Sequence, residues 1–397
     1  MKTVSAAALI SNTASAEASN VKPEPEQVDA GLALNLEPAQ WIWYPSERCL
    51  ANTIVLFRKT VSLAKSVRSA RGWIAVDSRY KLFLNGQYMQ FGPPPCDPRW
   101  LEADPVDFTS VLHAGENVIA VQALYYGLGD GTAPMGKAGF IFKLELEFAD
   151  GTAQTLVSDS SWLCCLPRSW KPGQYKRWYL RSLQEEFDSR RHPHGWEKAT
   201  FTPDRDWLNA MPLNGRSDKP SINTRYSEYM WEISGSASAN SQLRKRTIPM
   251  MSEQNVAVFK LSESHLIQWH RPAEEYFECM PPDAYDVVGK PNVTAVDQNR
   301  WRVTLDGQHA AALTFEFKDH MVGWPYFTIQ APAGTVVELL VHEAHGADGP
   351  AILNTHFNSW TRFVCREGEN RFETFDFESL RWLQLHIREA QGPVEVR

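Results

Sequence analysis

The feature that most constrains this chain is a recurring unit: a short run of alternating apolar and polar residues, closed by a two-residue turn signal. In Tyr80–Gly92 (YKLFLNGQYMQFG) the alternation breaks once, at Asn85-Gly86, and then resumes. Both residues of an Asn-Gly pair tolerate the positive φ that a type I′ turn demands, so the stretch reads as an antiparallel hairpin. Tyr80, Leu82 and Leu84 line one face of its first arm, because side chains on a strand alternate with period two. The unit recurs. GFIFKLELEFADG sets Phe140, Phe142, Leu144, Leu146 and Phe148 on one face before an Asp150-Gly151 turn, and Gly115-Glu116-Asn117 feeds a strand over Val118–Ala123. Helical periodicity is scarce, so residues 41–165 read as an antiparallel β-sandwich.

Strands return near Trp301. WRVTLDGQHAAALTFEF, PYFTIQAPAGTVVELLVHEA, TRFVCREGENRFETF and LRWLQLHI are separated by Asp306-Gly307, Pro332-Ala333-Gly334, Asp348-Gly349 and Gly368-Glu369-Asn370. The sequence therefore predicts an all-β chain of two jelly-roll-like antiparallel sandwiches, at 41–165 and 291–397. A mixed, loop-rich connecting segment with one or two short helices is expected over 166–290. A disordered leader is expected over 1–40, since its composition is poor in aromatics. At 397 residues, more than one domain is the ordinary outcome.

Charge narrows the function. The formal net charge is −7, whereas a nucleic-acid surface leaves a basic footprint, and the one dense basic run is Arg244-Lys245-Arg246. Three cations beside a strand read as a solvated edge that discourages pairing. No apolar run approaches the roughly 20 residues that span a bilayer. The N-terminal MKTVSAAALISNTASAEAS has the elements of a secretory signal but is diluted by Ser5, which leaves the compartment open with a lean toward secretion. Asn292-Val293-Thr294 is an N-glycosylation sequon, meaningful only in a secreted eukaryotic protein. The six cysteines have no metal spacing, and adjacent Cys164-Cys165 are expected on opposite faces of one strand.

Fifteen Trp, 12 Tyr and 19 Phe exceed what turns and edges need. Most must be core; others are available to stack on the C–H faces of sugars. The loops CDPRWLEAD and YYGLGDGTAPMGKAGF bring aromatic planes and carboxylates to one rim of the first sandwich. Asp97, Arg99, Trp100, Tyr125, Tyr126 and Asp130 are the carbohydrate-binding candidates there, with calcium as a possible ion and no cofactor required. His342-Glu343-Ala344-His345, with His356 downstream, superficially resembles a zincin motif. Its histidines stand three apart at a strand end rather than four apart on a helix, so a polar strand end is the better reading. Glu185-Glu186 with Asp188, Glu274-Glu275, Glu316 and Glu338 offer carboxylates, but glycoside cleavage needs two facing across a sugar, and neighbours on a strand point apart.

The order of motifs resembles a known family. WIWYP, FRKTVSL, GWIAVDSRYKLFLNG, DFTSVLHAGENVIAVQALYYG, GKAGFIFKLELEFADG and SDSSW are similar to the N-terminal β-sandwich of bacterial-type α-L-rhamnosidases, glycoside hydrolase family 78. EEFDSRRHPHGW, DRDW and RTIPMMSE resemble its connecting segment, and the strands from FEFKDHMVGWPYF to LRWLQLHI its second sandwich. DFESLRWLQL departs by placing Trp382 after Arg381, where the family has an Arg-Tyr pair. The resemblance implies that catalysis belongs to a helical (α/α)6 barrel. No residue here matches that barrel's acidic motif, so no catalytic residue is carried over. The implied partners are a rhamnose-containing glycan and a helical catalytic domain, in cis or in trans. Two other readings stay open: a complete glycosidase or lyase using carboxylates of these sandwiches, and a free-standing carbohydrate-binding module.

Overall fold

The computed structural model describes residues 32–46, 49–96, 101–127, 136–170, 185–213, 243–271, 283–346, 349–353, 361–375 and 377–397. Among the described residues, the regular structure is twenty-five strands and one three-residue 3-10 turn at Ser189–Arg191, with no α-helix. The strands form four sheets, stacked as two sandwiches.

The first sandwich packs a seven-stranded sheet on a six-stranded one. The seven-stranded sheet runs Met211–Pro212, Ile42–Trp43, Gly139–Phe148, Val67–Asp77, Glu102–Asp107, Arg244–Lys245, with Ala153–Val157 paired beside Gly139–Phe148. The six-stranded sheet runs Trp207–Asn209, Leu163–Cys165, Thr53–Leu63, Gly115–Tyr125, Arg79–Leu84, Gln87–Gly92. The hairpin forms as its sequence demands: φ is 53° at Asn85 and 83° at Gly86, and Tyr80, Leu82 and Leu84 are fully buried. Phe140, Phe142, Leu144, Leu146 and Phe148 also enter this core. There Phe140 and Phe142 meet the Trp162 ring edge-on, at 5.1 and 5.7 Å, the geometry that aromatic quadrupoles favour.

Not every strand alternates. Thr53–Phe57 and Val118–Tyr125 are buried almost without break apart from Gln122, because the six-stranded sheet is covered on both faces. Val55, Phe57, Ile119 and Val121 face the main core, whereas Ile54, Leu56, Val118 and Ala120 pack under Trp196, Trp207 and Phe375. A sheet buried on both faces selects continuous apolar runs. Cys164 and Cys165 divide between these same two cores, as a strand's pleat requires.

Residues 32–40, expected within a disordered leader, are packed on the first sandwich. Residues 32–40 lie along the outer face of the seven-stranded sheet, where Leu36 is fully buried against Trp73, Ala75 and Ile141, and Trp73 Nε1–H donates to the Ala33 carbonyl at 3.1 Å. The basic run also departs from expectation. Arg244–Lys245 pairs in parallel with Glu102–Ala103, extending that sheet, and Lys245 sits over the Trp73 ring. Arg246 is buried, its guanidinium 2.9 Å from an Asp104 carboxylate that also accepts the Tyr80 hydroxyl at 2.6 Å. Pairing offsets the desolvation of Arg246, so the run attaches a returning strand and itself becomes the sheet's edge, with Arg244 exposed there.

In the second sandwich, a seven-stranded sheet runs Glu186–Asp188, Thr361–Val364, Val336–His342, Glu378–Arg388, Ala310–Gly323, Lys260–Trp269, Tyr285–Gly289. It faces a five-stranded sheet, Asn292–Asp297, Arg300–Thr304, Val394–Val396, Tyr326–Ala331, Gly368–Glu373. Phe363 and Phe372 stack at 4.3 Å across the layers.

Residues 166–290 serve both bodies. Glu186–Asp188 joins the second sandwich, Trp207–Asn209, Met211–Pro212 and Arg244–Lys245 return to the first, and Lys260–Trp269 goes back to the second. The bodies also share a core. Phe375 and Trp324 of the second sandwich pack on Phe91 of the first, at 6.0 and 5.1 Å. Beside them, buried Lys81 donates to Glu373 Oε1 at 2.6 Å and to the Thr374 carbonyl at 2.9 Å. The buried Glu185 carboxylate accepts from Trp170 Nε1–H at 2.6 Å and from the Phe375 amide at 3.0 Å.

Candidate carbohydrate-binding site

Strand Val67–Asp77 runs as WIAV into a polar triplet, Asp77-Ser78-Arg79, before YKLFL resumes the apolar pattern. The triplet marks the end of the first sandwich where both candidate loops depart. The Asp77 carboxylate accepts from Ser78 Oγ at 2.7 Å and from the Lys137 amide at 2.9 Å. Gly136 lies so close that a Cβ there would overlap Asp77 Oδ2, so only glycine admits this approach. Ser78 Oγ accepts from the Tyr126 amide at 3.2 Å. Arg79 NH1 donates to the Ser78 carbonyl at 3.0 Å, and its guanidinium lies 5.8 Å from the Tyr126 ring centroid.

Arg79 is 7% exposed, and its Nε has no hydrogen-bond partner among the described residues. A buried guanidinium N–H without an acceptor is costly unless something supplies one. Cys96 flanks the same end; burial pushes its thiol up to about 11, so it is a protonated, inert sulfhydryl at neutral pH.

The site residues expected from sequence fall into two groups. Asp97, Arg99, Trp100 and Asp130 lie outside the described residues. Tyr125 and Tyr126 are described and are core: they are 0% and 1% exposed, and the Tyr125 hydroxyl donates to the Gly136 carbonyl at 3.1 Å. Neither ring presents a face to solvent, because their strand belongs to the sheet covered on both sides. Sequence reasoning passed over Asp77, Ser78 and Arg79. The available signal was a charged triplet interrupting an otherwise apolar strand pair.

Elsewhere, His342 closes strand Val336–His342 and His345 follows it, as a polar strand end predicts. His356 lies outside the described residues. Among the described residues, no group of three or more His, Cys, Asp or Glu side chains is arranged to hold a metal.

The Asp77 environment gives a pH prediction. Burial is the dominant effect and raises its carboxyl from 3.8 to about 6, against the Ser78 and Lys137 hydrogen bonds and the Arg79 charge. The folded state therefore holds this proton more tightly than the unfolded state. Stability from this group is greatest below pH 3.8 and falls as pH rises toward 6, by roughly 3 kcal/mol in all. Urea titrations of wild type and Asp77→Asn from pH 4 to 7 should diverge in that sense, the variant gaining on wild type as pH rises. Parallel curves would place the carboxyl in water.

Residues 65–226 match the family described as alpha-L-rhamnosidase N-terminal domain. An alpha-L-rhamnosidase of Streptomyces avermitilis is 31% identical over 135 residues, covering 33% of this chain and 12% of that protein. Among solved structures, the GH78 family rhamnosidase of Bacillus sp. GL1 superposes with a TM-score of 0.61 at 15% identity, covering 91% of this chain and 54% of that one. The α-L-rhamnosidase of Aspergillus terreus superposes at 0.54 and 19% identity, covering 88% and 34%. These two structural likenesses speak to fold. The chain spans about half or less of the length of the proteins it matches.

Proposed function

Residues 65–226 are homologous to the N-terminal domain of α-L-rhamnosidases, and on that premise we propose that this chain is the non-catalytic β portion of a rhamnosidase-like hydrolase. In this reading it braces a helical catalytic domain, in cis or in trans, and holds rhamnosylated glycan at the Asp77–Arg79 end. What carries the reading is the fate of the buried acids. The four buried carboxylates among the described residues are Asp77, Asp104, Glu185 and Glu338. Asp77 is fixed by Ser78 and Lys137, Asp104 by Arg246 and Tyr80, and Glu185 by Trp170 and Phe375. Glu338 accepts from His386, Arg362 and Arg388. A glycosidase acid must give its proton to the leaving oxygen, and these groups are committed to internal donors.

Support for glycan binding comes from the family match and from the polar Asp77-Ser78-Arg79 triplet at the end of the sandwich from which both candidate loops depart. For hydrolysis, the 397-residue chain should release no chromophore from an aryl α-L-rhamnoside above background; turnover that Glu185→Gln or Glu343→Gln abolishes would overturn the assignment. For binding, calorimetry with L-rhamnose should give a dissociation constant on the order of 1 mM, and Arg79→Met should reduce the heat. Running it with and without calcium tests the ion, and a flat trace in both conditions counts against glycan binding.

A further inference from the structure

The outward face of the second sandwich's seven-stranded sheet carries a feature the preceding assignment does not use. Val341, Leu383 and Phe315 point into the core, so their neighbours His342, Trp382 and Glu316 point outward. The pairing register sets these three side by side: His342 lies opposite Trp382, Trp382 opposite Glu316, and Glu316 opposite Lys260. Side chains paired this way on one face approach within about 5 Å at Cβ. The result is an indole flanked by an imidazole and a carboxylate.

The indole is held in place and only partly covered: it packs against the cluster of Leu340, Ile352 and Leu353 and stays half-buried. His345 meets it edge-on at 5.2 Å and 73°, and is itself fixed by Glu263 at 3.2 Å. Farther along the face, Ala351–Leu353 closes over the sheet, with the Leu353 amide donating to Gln384 Oε1 and Gln384 Nε2 donating to the Ala351 carbonyl. Gln384 is fully buried; Trp382, two residues earlier on the same face, remains half-buried. Glu316 is 12% exposed and receives Lys260 Nζ at 3.1 Å and Arg381 NH2 at 3.0 Å from side chains that are themselves half in solvent. These hydrogen bonds and charges outweigh the cost of partial burial and hold its carboxyl below the ordinary range, so it is an ionised acceptor.

Trp382 borders the aliphatic cluster of Leu340, Ile352 and Leu353 but, unlike those three, is not closed over. An oriented indole with an ionised acceptor and a guanidinium at its margin suits a neutral pyranoside. The apolar C–H face stacks on the ring, and adjacent hydroxyls bridge Glu316 and Arg381. We propose that Trp382, Glu316 and Arg381 form a second carbohydrate subsite, on the sandwich opposite the one that carries Asp77. The inference rests on reading the chain as a glycan-handling accessory.

The test uses the full 397-residue chain labelled with 5-fluorotryptophan and titrated with methyl α-L-rhamnopyranoside. The Trp382 fluorine resonance is identified by its loss in Trp382→Phe. That resonance should shift saturably, and Glu316→Gln should weaken the affinity it reports by about tenfold. Thermal melts of both variants establish that they fold. If the Trp382 signal stays fixed while calorimetry still reports binding, the subsite is overturned and the glycan-binding assignment stands. If neither method detects the glycoside, both fall. If Glu316→Gln binds as wild type while the Trp382 signal shifts, the carboxylate's part in the subsite is overturned.

Discussion

Gly72→Ala is expected to destabilise the first sandwich severely. Gly72 is buried in mid-strand opposite Leu144, where a Cβ would overlap the Lys143 carbonyl oxygen and meet Leu144 Cα at 2.8 Å. Those are backbone atoms in the centre of a paired sheet and cannot swing aside. Relieving the overlap means separating strand Val67–Asp77 from Gly139–Phe148, so the cost is about 3 kcal/mol or more. Against the 5–15 kcal/mol typical of a folded domain, such a loss leads to insoluble protein or to a urea midpoint far below that of wild type. Gly151 supplies the control. Its φ is +82° but its would-be Cβ meets nothing, so Gly151→Ala costs only the left-handed backbone, about 1–2 kcal/mol. Equal losses from the two variants would refute the close-approach explanation.

The second large effect is expected at Arg246. Removing this guanidinium strands Asp104, which is 0% exposed, with the Tyr80 hydroxyl as its remaining side-chain donor. Breaking one side of a buried pair costs about 3–5 kcal/mol, because the surviving charge keeps its desolvation penalty. Arg246→Ala should show that loss in chemical unfolding. It should also free the 244–249 segment, since Arg246 additionally donates to the Ile248 and Pro249 carbonyls. Replacing both partners, as Asp104→Leu with Arg246→Met, should recover much of the loss, because no unpaired charge is left behind. A double variant as unstable as the single one would mean that shape, not charge, is what the site requires.

The basic triplet also shows where sequence reasoning stops. Lys and Arg beside a strand are ordinarily solvated, and nothing local tells that Asp104, 142 positions earlier, waits in the sheet. Alternation was legible wherever one face of a sheet met one core, as at Tyr80–Leu84 and Phe140–Phe148. It failed on Thr53–Phe57 and Val118–Tyr125, because a second body covers the other face, and long-range covering leaves no periodic trace. Tyr125 and Tyr126 were misplaced for that reason: next to a glycine-rich loop they look like a rim, yet they end a strand enclosed on both sides. The Asp77-Ser78-Arg79 triplet was visible as three polar residues in an apolar run, but its meaning depends on Gly136 arriving from 59 residues away to meet Asp77. Trp382 was legible only as a deviation from a familiar pair; the register that sets it between His342 and Glu316 is a property of the folded sheet.

Because the chain passes from the first sandwich to Glu186–Asp188, back through Trp207–Pro212 and Arg244–Lys245, and out again at Lys260, neither half can be inherited or exchanged as a contiguous cassette. Recombination at any one point would sever a strand from its own sheet. Pull applied at one end is likewise shared with the other through the described crossings at 189–206 and 246–259 and through the contact of Phe91 with Trp324 and Phe375.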